Sequence, residues 1–239
     1  MKKTALVTGA SRGIGAKNAE LLAIDGYNVI VNYLNSEQQA LALAEKIGGM
    51  AYKADVSDYA QVSAMVTAAE ERFGKIDLLV NNAAISVCGL FTDISDSDAA
   101  RIFEVNVMGA MNCARAVLPM MINRKCGKII NISSMWGEVG ASCEVHYSAA
   151  KAAVIGFTKA LAKEVGPSGI QVNCVSPGVI MTDMNKALTQ EDINALIDET
   201  PLMRVGQPED IARTVCFLAS ANADFITGQI IGVNGGMII

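Results

Sequence analysis

Short apolar runs alternate along this chain with longer stretches in which apolar positions recur every three or four residues. The runs at 4–8 (TALVT), 28–33 (NVIVNY), 50–54 (MAYKA), 77–81 (DLLVN), 128–133 (KIINIS), 170–176 (IQVNCVS) and 229–233 (QIIGV) predict strands. Most are β-branched and nearly continuous, as parallel strands buried on both faces should be. Helical spacing covers 14–25, 36–47, 58–73, 98–122, 147–165 and 208–220. Gly26, Gly48–Gly49, Gly74, Gly127, Gly166–Pro167 and Gly169 punctuate the helix ends. Strand–helix alternation of this kind predicts a Rossmann-type, doubly wound α/β fold. The expected sheet is mostly parallel and seven-stranded, with helices on both faces, in one domain over 1–239.

Two places break the rhythm. After SPGV the chain runs IMTDMNKALTQEDINALIDETPLMRVGQPED, with Met184, Leu188, Ile193, Leu196 and Ile197 on short helical patterns. Loops after strand carboxyl ends form the ligand crevice in such sheets, so residues 182–207 are expected to be a substrate lid. The alternative is an insertion with its own small core. The stretches 105–121 (VNVMGAMNCARAVLPMM) and SAAKAAVIGFTKALA are apolar around much of their circumference. A helix with a second apolar stripe must bury that stripe too. Another subunit is the expected cover, with Ala149, Ala152, Ala153 and Gly156 allowing close approach. A large core is the alternative.

Composition narrows the class. The 239 residues are 51% hydrophobic and 18% charged, enough apolar content for a sizeable core. The net charge is −5, which argues against a nucleic-acid partner held by a basic surface. Six cysteines, at 88, 113, 126, 143, 174 and 216, form no C-x-x-C pair and read as buried or semi-buried thiols of a reducing cytoplasm. One histidine and no Cys/His cluster leave no metal site to expect. The opening MKKTALVTGA has an apolar run too short for a signal peptide. No uninterrupted apolar stretch reaches the roughly 18 residues of a membrane span.

The motif TGASRGIG follows the first strand and opens the first helix. Gly9 suits a tight turn, Gly13 lets backbone approach a pyrophosphate, and Gly15 allows helix to pack on sheet. The spacing is G-x3-G-x-G rather than G-x-G-x-x-G, but the strand–turn–helix context is the one a dinucleotide site requires. Ser11, Arg12 and Ile14 share that turn. The second strand ends Asn32–Tyr33, without the acid that holds a ribose 2′-hydroxyl in NAD sites. Arg12 can pair with a 2′-phosphate, so NADPH is the expected cofactor.

Ser134 lies past the fifth strand, and Tyr147 and Lys151 stand four residues apart at a helix start, sharing one face. An ammonium about 4 Å from a phenolate is worth roughly 4 kcal/mol at an effective dielectric of about 20. Discounted for solvent, this predicts a tyrosine pKa lowered by about one to three pH units from about 10. Such a tyrosine is a usable general acid–base, and a serine hydroxyl can donate to a developing oxyanion.

These pieces, with ADVSD, NNAA, VNVMG, INISS, YSAAK, SPGVIMTDM and VNGGM, make the chain resemble the short-chain dehydrogenase/reductase family over nearly its whole length. The resemblance implies that Asp55 and Val56 border an adenine and that Asn81, Ala83 and Ala84 line the nucleotide, Ala84 standing where glycine is usual. It implies that Pro177, Gly178, Ile180 and Thr182 hold the nicotinamide. Ser134 would orient a carbonyl, Tyr147 donate the proton, Lys151 bind ribose and tune the tyrosine, and Asn106 hold a water relay behind Lys151. A homotetramer through the two over-apolar helices is implied as well.

PLMRVGQPEDIA and ITGQIIGVNGGM resemble the 3-oxoacyl-acyl carrier protein reductases of fatty-acid synthesis. Docking an acidic carrier needs basic surface near the cleft. Arg124, Lys125 and Lys128 are candidates, whereas Pro167–Ser168 stand where arginine is often found. The stretch SSMWGEVGASCEVHYSAAK resembles instead reductases of aminopentanone-modified elongation factor P, whose adduct is a cationic ketone. Glu138 or Glu144 could pair with that amine, and Trp136 and Met184 are further candidate substrate contacts. The alternative for both glutamates is a solvated loop. His146 is expected to lie on a different helix face from Tyr147.

Overall fold

The computed structural model describes residues 2–185 and 189–239, and the side chain of Met184 is not among what it describes. The expected contributions of Leu188 and of the Met184 side chain therefore lie outside the described residues. Seven strands, β1 Thr4–Val7, β2 Asn28–Tyr33, β3 Met50–Lys53, β4 Leu78–Asn81, β5 Gly127–Ile132, β6 Ile170–Pro177 and β7 Ile230–Val233, form one sheet among the described residues. Their order is β3-β2-β1-β4-β5-β6-β7 and every pair is parallel.

Alternate side chains along each strand enter opposite layers. Ala5, Val7, Val80 and Ile132 pack under helices α1 (Gly13–Ile24), α2 (Glu37–Ile47) and α9 (Pro208–Ala219). Leu6, Ile30, Leu79 and Ile129 pack under α3 (Tyr59–Phe73), α5 (Gly109–Arg124) and α7 (Val145–Val165). Burial on both faces is why the strands read as continuous apolar runs rather than alternating ones. Strand order reverses between β1 and β4, so the ligand crevice lies outside their carboxyl ends.

The helix expected at 98–122 is compound. It runs as α4 (Asp96–Phe103), a five-residue π turn (Glu104–Met108) and α5. One extra residue in a turn hardly disturbs an apolar pattern, so the sequence does not display it. By length and mean hydropathy, 1.3 over its most apolar part, Asp96–Arg124 could cross a membrane. Its Cys113, Ala114, Val117 and Met121 instead pack on the sheet as a core helix.

Two more helices follow β5 and β6 in the chain. The four-residue α6 (Trp136–Val139) was not foreseen, and α8 (Gln190–Glu199) stands inside the expected lid. A capping box starts α8: Thr189 Oγ1 accepts from the Asp192 amide while the Asp192 carboxylate accepts from the Thr189 amide. Ile180 and Gly206 form a parallel bridge that closes the base of this excursion. The six cysteines are free, but Cys88 and Cys126 are exposed rather than buried or semi-buried, because both sit in loops.

Candidate active site

The ends of β1, β2 and β4 are laced around the glycine turn. Thr8 Oγ1 accepts from the amides of Asn82 and Ala83 at 2.9 and 3.0 Å. The Asn82 side chain donates to the carbonyls of Thr8 and Gly9 at 2.9 and 3.1 Å. Gly9 adopts φ +60°, and a Cβ there would stand 2.8 Å from the Ala83 Cα, so the turn admits no side chain. Asn81 donates to Ala110 O and to Asn131 Oδ1, but its own buried Oδ1 has no hydrogen-bond partner. A tight backbone cradle and a buried orphan acceptor fit a dinucleotide.

Several expected cofactor residues have protein partners. Asn32 is 1% exposed; it accepts from the Gly9 amide at 3.2 Å and donates to Ala54 O at 3.0 Å, so it braces the turn. Tyr33 is also buried, and its hydroxyl donates to Glu37 at 3.1 Å, which brings a carboxylate beside the end of β2 that a strand-only reading overlooks. Asp55 receives Ser57 and a 2.6 Å contact from Arg101. Burial pushes this carboxyl up, but Ser57 and the Arg101 guanidinium outweigh it and hold the group below its ordinary range. Val56 is buried, its carbonyl accepting from Asn112. Arg12 leans on Asp183, 3.6 Å away, and Thr182 lies against Gly13, so the start of the segment 182–207 borders the glycine turn. Pro177 O accepts from the Met135 amide at 2.9 Å, the Gly178 amide donates to Val233 O at 3.0 Å, and Ile180 is 4% exposed.

Ser134, Tyr147 and Lys151 converge, all nearly buried. Tyr147 and Lys151 occupy successive turns of α7, and Ser134 leaves the end of β5 to meet the Tyr147 hydroxyl. The expected electrostatics are corrected here. Burial pushes Tyr147 up to about 12, the Glu144 charge adds to that, and only the Ser134 hydrogen bond pulls it down. Burial likewise pulls Lys151 down to about 8. The ammonium lies over the tyrosine ring, 5.5 Å from its centroid, and donates to Ile132 O at 2.8 Å. Desolvation of each group therefore outweighs their mutual attraction, and Tyr147 stays protonated at neutral pH. Asn106 sits on the π turn, where its amide group both accepts from and donates to the Ile85 backbone at 2.8 Å. It lines the same small cavity as Lys151 and Asn81.

The two glutamates part company. Glu138 accepts from Ser176, whose side chain is fully buried, on the α6 side of β6. This turns its carboxylate toward β6, a bond that residue spacing could not reveal. Glu144 accepts from Ser86 and lies close enough to Tyr147 to act on its proton. The loop after β4 is joined to the start of α7 twice more. The Gly89 amide donates to Cys143 O at 2.9 Å, and Phe91 stacks on His146 with centroids 5.1 Å apart. His146 thus ties the start of α7 to the loop after β4, and Trp136 stands half-buried at the start of α6. Sequence reading also passed over Thr8, Asn82 and Ser86. The first two lie within motifs already noted, while the Ser86–Glu144 contact spans 58 residues and leaves no local signal.

The three cations expected to form a basic docking surface do not stand at this end. Arg124, Lys125 and Lys128 stand at the amino end of β5, opposite the crevice. Lys128 is engaged by Ser220 O at 2.6 Å and Asp224 at 2.7 Å, and Arg124 donates to Ile76 O. Their clustering in sequence reflects the β5 entry, where long cations cap backbone carbonyls.

Comparison with known proteins agrees with the fold. A family model described as Enoyl-(Acyl carrier protein) reductase matches residues 9–238. The chain is 45% identical over 242 residues to the 3-oxoacyl-[acyl-carrier-protein] reductase FabG of Staphylococcus aureus, covering 99% of this chain and 98% of that one. It is 43% identical to the 3-oxoacyl-[acyl-carrier-protein] reductase of Synechocystis, covering 99% and 97% of the two chains. It is 41% identical to the uncharacterized oxidoreductase YmfI of Bacillus subtilis, covering 99% of each. The chain belongs to the short-chain dehydrogenase/reductase family and is an oxidoreductase acting on ketone and alcohol groups.

Proposed function

We propose that this member of the family is an NADPH-dependent reductase of a protein-borne ketone, with 3-oxoacyl-acyl carrier protein as its first candidate substrate. The observation that carries the reading is the convergence of Ser134, Tyr147 and Lys151 beside the glycine turn. NADPH would supply a hydride to the ketone carbon. The backbone around Gly9, the orphan Asn81 Oδ1 and the Pro177–Thr182 segment would hold it, with Arg12 toward a 2′-phosphate. Ser134 donates a hydrogen bond to the carbonyl oxygen, where charge develops. Tyr147, protonated because it is buried, gives that oxygen its proton. Lys151, over the ring, stabilises the phenolate left behind. Asn106, next to Lys151 in the same cavity, holds the path by which the proton is replaced.

The names of the relatives favour the thioester substrate. A second reading is favoured by the charge beside Tyr147. Glu144 stands beside Tyr147, while Arg124 and Lys128 are tied down at the far end of the sheet. A cationic ketone, such as aminopentanone-modified elongation factor P, suits that distribution better than an acidic carrier does. Residues 182–207 would serve as the lid. Exposed Phe103, Met108 and Ile122, with Ala149, Ala152 and Gly156 on α7, support a homotetramer. Six free thiols suit a cytoplasmic setting.

The deciding experiment compares kcat/KM with NADPH for the two ketones. The first reading expects at least a tenfold preference for the 3-oxoacyl thioester. A tenfold preference for the modified elongation factor would replace it with the second.

A further inference from the structure

Glu138 takes no part in the proton step, yet its carboxylate reaches one of the most enclosed hydroxyls of the crevice. Ser176 is 0% exposed and donates to Glu138 Oε1 at 2.5 Å. Ser176 immediately precedes Pro177 and Gly178, where the chain leaves β6. That exit is gripped from two other directions, by the Met135 amide on Pro177 O and by Val233 O on the Gly178 amide. Met135 adjoins Ser134, and α6 follows at once. This short helix lies unusually close to α7: a Cβ on Gly137 would stand 2.7 Å from the Lys151 carbonyl carbon and 2.8 Å from its Cβ. α6 is therefore a rigid spacer, in contact with the backbone of Lys151 on one side and bonded to the β6 exit on the other.

We propose that Glu138 is a positioning residue: through Ser176 it fixes the Pro177–Gly178 segment at a set distance from Lys151, and so places the nicotinamide half of the cofactor. The inference rests on the NADPH reading above. A four-residue helix cannot hold its own orientation by backbone bonds alone, so a charge-assisted bond to a buried hydroxyl has a large share in setting it. With the carboxylate removed, the Ser176 hydroxyl is left buried without its acceptor, and the segment must move to satisfy it. A shift there leaves the adenine half alone, because that half is bordered by β2, β3 and the glycine turn.

The test separates the two halves of the cofactor. Dissociation constants are measured for NADPH and for adenosine 2′,5′-bisphosphate, which lacks the nicotinamide. Glu138→Ala is expected to weaken NADPH on the order of tenfold and to leave the bisphosphate within about twofold. Ser176→Ala, which removes the donor instead, should give the same split, and the double variant should be no weaker than either single one. Glu138→Gln keeps an accepting oxygen and should restore NADPH binding. Should Glu138→Ala fold poorly, Ser176→Ala and Glu138→Gln still decide. Unchanged NADPH binding in Ser176→Ala, or equal loss for both ligands, overturns the proposal while leaving the cofactor reading intact. A wild-type protein that binds no NADPH overturns both.

Discussion

Lys151 is a charge held out of water, and burial loosens its hold on the proton. It is 2% exposed, with one carbonyl and one aromatic ring beneath its ammonium. Burial lowers its pKa from 10.5 to about 8, while Tyr147 rises to about 12. The sign matters for activity. Below pH 8 Lys151 is an ammonium and can stabilise the tyrosinate formed when the proton leaves. Above pH 8 it is neutral in the folded chain, although it would still be charged in an unfolded one. Reduction at saturating NADPH is therefore expected to fall as pH rises through about 8, with Tyr147 still protonated. A rate that stays level to pH 10 would show that the buried ammonium is not what limits the step. The residue types of this site were legible, since serine, tyrosine and lysine at this spacing name their chemistry. Their proton affinities were not, because burial is a property of the folded surroundings rather than of the spacing.

At the scale of elements, periodicity located what packs on the sheet and missed what does not. α6 is four residues long and buries no side chain fully, so it has no period to detect. The π turn shifts a helix by one residue, within the tolerance of an apolar pattern, yet it presents Asn106 to the Lys151 cavity. Arg124 and Lys128 have the charge a docking surface needs, but they stand at the amino end of β5, whereas the crevice lies at the carboxyl ends of the strands. The helix α1 holds a different departure. Asn18 is fully buried on the face that carries Ala19 and Leu22, and neither atom of its amide has a hydrogen-bond partner. Leaving such groups unpaired costs about 1–3 kcal/mol, whereas an apolar side chain of similar shape costs nothing of the kind. Asn18→Leu is expected to raise the thermal midpoint by several degrees, at about 2–4 °C per kcal/mol for a domain of this size. A lower midpoint in calorimetry would mean that the amide is satisfied by something other than protein.

The whole molecule brings together residues that lie far apart in the chain. The glycine turn at 9–15, Asn81, Asn106, Ser134, Tyr147 and Pro177 all gather at the carboxyl ends of one parallel sheet. That gathering follows from parallel strands in a doubly wound sheet, which the alternating pattern of the sequence predicts, whereas the strand order itself is seen only in the structure. Contacts between the loop after β4 and the start of α7, where Ser86 meets Glu144 and Phe91 meets His146 across 55 or more residues, leave no such local signal. In the proposed mechanism Tyr147 gives the proton, whereas the glycine turn and the Pro177–Thr182 segment would hold the cofactor. The most direct measurement is therefore Tyr147→Phe, assayed for NADPH binding and for turnover of whichever ketone the wild type reduces. NADPH affinity should stay within about twofold of wild type, and kcat/KM should fall by about 10²- to 10⁴-fold. Turnover within a few-fold of wild type, with NADPH still bound, would contradict the mechanism.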